Sequence, residues 1–184
     1  MAIIFGGKHF GQYTYEHWFD HEYENKIIIE HLKMDEINIF KNLIEKAFDE
    51  FVGKDYSQEG NKIFKDFIEP NSIIKRYNDE FNRFFVLKIN DEMVGALETK
   101  NNNHISLFFV KKEFLGNGLG KKLFEYFLQT LKQNNIKIET ITVNSSIFAE
   151  KINSKMGFIK IAEMLEKNGI KYIPMEYKPS ANVT

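Results

Sequence analysis

The strongest constraint on this chain lies in its middle, where a nearly unbroken apolar run leads into a glycine cluster. Ile105-Ser106-Leu107-Phe108-Phe109-Val110 has the length of a strand, and its apolar side chains fall on both parities. Such a strand belongs at the centre of a sheet with both faces covered. Shortly after it, Leu115-Gly116-Asn117-Gly118-Leu119-Gly120 holds three of the 11 glycines. Leu123, Phe124, Phe127, Leu128 and Leu131 then recur at helical spacing. Glycines between a strand and a helix let the backbone approach a ligand and turn several N–H groups towards one point. The helix N-terminus adds partial positive charge, so the segment suits a phosphate or pyrophosphate, with Lys121 and Lys122 close by. The same pattern also serves as a plain strand-to-helix turn. A Walker loop is unsupported, because its Lys-Ser/Thr pair is missing, and the third glycine is misplaced for a dinucleotide fingerprint.

The flanking segments complete an α/β pattern. Lys26–Glu30 reads as a short strand, and Ile37, Phe40, Leu43, Ile44, Ala47, Phe48 and Phe51 as a helical face ending at Gly53. Ser57 is a candidate N-cap for a second helix carrying Ile63, Phe64, Phe67 and Ile68 and stopped by Pro70; Ile73, Ile74 and Tyr77 add a short turn. Phe84–Ile89 and Met93–Thr99 flank a polar turn and predict a hairpin. Asn101-Asn102-Asn103 makes the next turn, into the apolar run. Ile136–Val143 alternates like a strand, Ser145 or Ser146 could cap a helix through Met156, and two final strands flank Lys167-Asn168-Gly169. The expected order is βαα-βββ-αβα-ββ, most economically one mixed sheet flanked by helices.

Composition narrows the function. The 184 residues suit one domain, and an aromatic share of 15% excludes disorder. The absence of Cys excludes disulfides, thiolate zinc sites and cysteine nucleophiles. No apolar run approaches the roughly 20 residues that span a bilayer. Lys and Arg total 25 against 26 acids, and only Arg76 and Arg83 are Arg, which disfavours a nucleic-acid partner. The apolar run at the start stops at Gly6 without a basic leader, so no signal peptide and a cytoplasmic location are expected. His17 and His21 stand i, i+4, with His9 nearby, but complete no metal motif, and no metal is expected. The stretch containing Trp18 and its aromatic and acidic neighbours reads as an N-terminal extension over residues 1–25, before a main domain at 26–178 and a tail at 179–184.

The ordered motifs resemble the GNAT superfamily of acyl-CoA N-acyltransferases. That family's cofactor signature is Gln or Arg, two residues, Gly, one residue, then Gly or Ala; Leu115–Gly120 matches except that Leu115 occupies the Gln/Arg position. Ile105–Val110 resembles the family's fourth strand and Lys121–Lys132 its long helix. Val143–Ala149 and Lys155-Met156-Gly157-Phe158 look like the next strand end and helix, and Gly169–Met175 like a closing strand. The resemblance covers roughly residues 26–178.

It implies a mostly antiparallel central sheet flanked by helices and splayed between strands 4 and 5. It also implies acetyl-CoA as cosubstrate, and an acetyl group moving to a primary amine of a small molecule or peptide. Backbone groups of Phe108, Phe109 and Val110 would follow the pantetheine arm, and Leu115, Gly116, Asn117, Gly118, Leu119, Gly120 and Lys121 would face the pyrophosphate. Asn144 would bind pantetheine at the splayed strand end, or cap a turn. The family's acid is commonly a Tyr four residues before the Gly-Phe pair, where this chain has Asn153, an amide that cannot serve as an acid. Tyr172 is a substitute donor. His104, Glu98 and Glu30 are candidate bases, and Tyr56 a candidate acceptor contact. An acidic, aromatic N-terminal segment could favour cationic amines. Leu115 and Asn153 keep a non-catalytic acyl-CoA sensor open as the alternative. A homodimer through an exposed sheet edge or the aromatic extension is compatible with the sequence.

Overall fold

Three asparagine-led turns set the registers of the sheet. Asn90 and Asp91 (φ 50° and 66°) form the two-residue loop between β2 (Arg83–Ile89) and β3 (Glu92–Lys100). Asn101 and Asn102 (φ 53° and 59°) lead into β4 (His104–Val110). Asn168 and Gly169 (φ 52° and 72°) join β7 (Leu165–Lys167) to β8 (Ile170–Tyr177). Left-handed pairs of this kind match the twist of a hairpin, and Asn, Asp and Gly are the residues that accept them at least cost.

The structure, a computed structural model describing residues 26–179, contains an eight-stranded sheet in the order β1-β2-β3-β4-β5-β8-β6, with β7 beside β8. Here β1 is Ile27–His31, β5 Ile141–Ser145 and β6 Ile159–Lys160. Every pairing is antiparallel except β4 with β5. One face carries α1 (Ile37–Phe51), α2 (Gln58–Phe67) and α3 (Pro70–Tyr77), packed through Phe40, Phe48 and Phe64 onto Phe84, Val86 and Phe109. The other face carries α4 (Leu119–Gln133), whose Leu123, Phe124 and Phe127 meet Phe85, Leu97 and Phe108. Both faces of β2, β3 and β4 are therefore buried, as the apolar run predicts. No helix among the described residues is long and apolar enough to cross a membrane.

Two irregularities open the sheet at its centre. Thr99 pairs with Ile105 but Glu98 with Leu107, so Ser106 is an extra residue, a β-bulge. The bulge switches parity: Ile105 lies in the α4-side core, whereas Leu107 and Phe109 join the α1 side and Phe108 and Val110 the α4 side. At the same point β4 leaves β5, since their parallel pairing consists of His104–Thr142 and Ile105–Val143 alone. Beyond it a wedge separates the two strands.

The structure departs from the sequence expectations in three places. Ile136–Thr140 is not a strand. Asn135 (φ 55°) closes α4 and the Ile136 N–H bonds Leu131 O, so Ile136 and Ile138 pack from a loop onto the α4-side core. Their alternation reflects packing without a ladder. Pro70 does stop α2, but it also stands at the first turn of α3, where its missing N–H costs no bond. The closing region has three strands instead of two, because Ile159–Lys160 also pairs with β8.

Candidate active site

The glycine segment builds one side of a cleft. Gly116 (φ 81°) and Gly118 (φ 71°) are left-handed, and Gly118 is the N-cap of α4. A Cβ built on either would meet no atom within 4 Å, so both face open space. From Gly116 to Lys121 no backbone N–H has a partner among the described residues; the first α4 bond runs from Lys122 N to Gly118 O, 3.0 Å. Free N–H groups at the positive end of a 15-residue helix are suited to an anion. Leu115 differs: its N–H is held by Lys112 O at 3.1 Å, and its side chain packs against both cores. The cleft, about 230 Å³, continues between Val110 and the α5 (Glu150–Lys155) side, where Ile152, Lys155 and Met156 line it.

A second cleft of about 370 Å³ opens at the wedge. Ser106 and Asn144, which follow the last paired residues of β4 and β5, form its floor. Tyr56, Ile63 and Phe67 from the α2 region form one wall, and Lys167, Asn168 and Tyr172 from the β7–β8 hairpin the other. The walls are joined where two glycines touch. Ser57 N donates to Gly169 O at 3.0 Å, and the Ser57 hydroxyl caps α2 by accepting from Gly60 N at 3.1 Å. A Cβ on Gly60 would lie 2.4 Å from Gly169 O, and one on Gly169 1.7 Å from Ser57 Oγ. No larger residue allows that approach.

The remaining predicted residues fall in different places. His104 lies at the paired end of the wedge and lines neither cleft; its Nδ1 is 2.8 Å from Thr142 Oγ1. Burial, with the charge of Lys100 adding, pushes it down to about 4, so the ring is neutral near pH 7. Asn153 is 1% exposed and also lines neither cleft. Its Nδ2 donates to Ser145 Oγ at 2.9 Å, and Ser145 Oγ donates to Ser146 O at 2.9 Å, which fixes the end of β5. Glu98 is fully buried and gripped by Arg76 through two bonds, Nε to Oε1 at 2.6 Å and Nη2 to Oε2 at 3.0 Å. The same guanidinium sits 3.7 Å over the Phe67 ring and donates to Phe67 O. Glu30 pairs with Lys88 at 2.6 Å on β1, which lowers its pKa. Neither carboxylate lines a cleft. Asn144 and Tyr172 both stand in the second cleft, as does Tyr56, whose phenol is raised chiefly by burial.

Sequence reasoning overlooked Ser106, Ile63, Phe67 and Lys167. Ser106 had a signal, being the one polar residue within the apolar run. Ile63 and Phe67 read as core from their spacing, yet each is 36% exposed at the cleft. His9, His17 and His21, Trp18, and the extension as a whole lie outside the described residues, as does most of the proposed tail.

Comparison with known proteins agrees with this fold. The acetyltransferase (GNAT) domain family matches residues 52–179. A GCN5-related N-acetyltransferase from Rhodopseudomonas palustris superposes with a TM-score of 0.70 at 15% identity, covering 86% of this chain and 99% of the other. The PaiA N-acetyltransferase of Thermoplasma acidophilum, in complex with coenzyme A, gives 0.69 at 15% identity, with 84% and 99% covered. A GNAT-family acetyltransferase from Staphylococcus aureus Mu50 gives 0.62 at 20% identity, with 83% and 99% covered. No curated protein sequence matches significantly.

Proposed function

The chain belongs to the GNAT acetyltransferase family and is an acyltransferase, and from that premise we propose that it moves the acetyl group of acetyl-CoA directly to a primary amine bound in the second cleft. The observation that carries this reading is the wedge: beyond Ile105 β4 has no β5 partner, and along that free stretch one cleft is lined by Ser106 and the glycine-loop cleft by Val110.

The residues present fit acetyl-CoA. N–H groups from Gly116 to Lys121 would take the pyrophosphate, with Lys121 supplying solvated positive charge. The edge of β4 beyond Ile105 has no β5 partner, so Phe108, Phe109 and Val110 offer backbone groups to the amide-bearing pantetheine arm, as an added strand would use them. Asn144 and Ser106 would stand beside the thioester end. Acetyl-CoA supplies the activated acyl group; the protein supplies position, and a β4 N–H at the wedge meets negative charge developing on the acyl oxygen.

In the transfer, the neutral amine nitrogen bonds to the acyl carbon, the carbon–sulfur bond breaks, and its electron pair leaves on sulfur. The amine proton passes to water, since no carboxylate or histidine lines the second cleft among the described residues. The Tyr172 hydroxyl is the group we assign to protonate the departing thiolate, and Asn153 holds the end of β5 through Ser145. Thiol release from acetyl-CoA with an amine panel, alongside detection of acetylated product, tests the proposal. Binding of acetyl-CoA without product from any amine would favour the sensor instead.

A further inference from the structure

We infer that the second cleft selects a compact amine with an aromatic or branched aliphatic body and a carboxylate, that is, an apolar α-amino acid, and rejects polyamines. The inference rests on the acetyl-transfer reading and extends it to the acceptor.

Among the described residues the cleft has no carboxylate, and its one charged side chain is Lys167, on the exposed β7–β8 hairpin with no ion pair to another described residue. A second ammonium on the acceptor would find a like charge and, among the described residues lining the cleft, no counter-ion. Of the carboxylates on neighbouring elements, Asp66 of α2 pairs with Lys62 at 2.6 Å and Glu98 is locked to Arg76, and Asp55, Glu59 and Glu166 do not line the cleft. Phe67 cannot offer a free π-face as a substitute cation site on its Arg76 side, because the guanidinium already covers it at 3.7 Å.

Shape and polarity agree. Ile63, Phe67 and Ile170 present apolar surface, and about 370 Å³ suits one small molecule with a ring or branched side chain. The polar groups come from different elements. Ser106 and Asn144 are at the wedge, where the reacting nitrogen must lie, and Lys167 is on the hairpin, where it can take a carboxylate. An apolar surround also disfavours the ammonium form, which helps deliver the neutral nucleophile.

The test compares L-phenylalanine, 2-phenylethylamine (the same body without the carboxylate) and spermidine. It measures kcat/KM for acetyl transfer, and dissociation constants by calorimetry on coenzyme A-loaded protein. The expected order is phenylalanine, then phenylethylamine about tenfold lower, as for loss of one charge-assisted hydrogen bond at a partly desolvated site, then spermidine. Lys167→Ala should bring the first two within about threefold, and Lys167→Glu should reverse them, with coenzyme A affinity unchanged. A preference for spermidine, or a Lys167→Glu protein with the wild-type order, overturns the inference. If no amine is acetylated but the binding order and its reversal hold, the transfer reading fails and the cleft assignment stands.

Discussion

Single residues show how environment, more than residue type, assigns roles here. His104 had the chemistry of a base in the sequence, but at the paired end of the wedge it is partly buried, held neutral and outside both clefts. In the unfolded chain a histidine titrates near 6.5. Between that value and about 4 the unfolded state therefore binds a proton that the folded state refuses. Stability should fall as pH drops through 6.5 and stop falling from this cause below 4. Urea denaturation at pH 7 and pH 5 should reveal the loss, with His104→Gln losing less. Asn153 gives a second prediction. Asn153→Ala removes the donor to the buried Ser145 hydroxyl and should cost about 1–3 kcal/mol of stability, with kcat changed less than tenfold. Tyr172→Phe should behave in the opposite way: an unchanged melting temperature and a kcat lowered on the order of 10²-fold.

Between elements, the decisive joint is the contact of the β7–β8 turn with the start of α2. Gly60→Ala places a methyl against Gly169 O, where backbone must shift. The expected cost is about 1–3 kcal/mol, with faster hydrogen exchange in the hairpin and a higher KM for amine but not for acetyl-CoA. The glycine loop predicts the converse split. Gly116→Ala and Gly118→Ala meet no protein atom, so their cost is the left-handed backbone, about 1–2 kcal/mol each. They should weaken acetyl-CoA binding and leave the amine site intact. Much of this scale was legible in the sequence, because the signals were local: paired turn residues, helical spacing, glycines between strand and helix. Ile136–Thr140 misled for a physical reason, since alternating burial in a loop looks the same as a strand without its partner. The Ser57–Gly60–Gly169 joint was not legible, because a contact between positions so far apart in sequence leaves no periodic trace.

Across the whole molecule, two departures from regularity make one site. The bulge at Ser106 and the short β4–β5 pairing open the sheet, so that β4 lines the second cleft at Ser106 and the glycine-loop cleft at Val110. The sequence pointed to the first cleft, because glycines between a strand and a helix suit an anion, although the same pattern also serves as a plain turn. Of the second, the family resemblance offered Asn144, Tyr172 and Tyr56, but the sequence hid Ile63 and Phe67, which follow the same helical spacing as buried residues, and Lys167, an unremarked hairpin lysine. A near-neutral chain can present an anion site because backbone N–H groups and a helix terminus supply partial positive charge beside Lys121 and Lys155. The most direct test of this account is mass-spectrometric detection of acetylated amine from acetyl-CoA and L-phenylalanine, with wild-type protein and with the Gly116→Ala/Gly118→Ala double variant. The account predicts product from the wild type and a loss in the variant that added acetyl-CoA restores. Product formed equally by both proteins at limiting acetyl-CoA, or acetyl-CoA bound by the wild type with no amine acetylated, would contradict it.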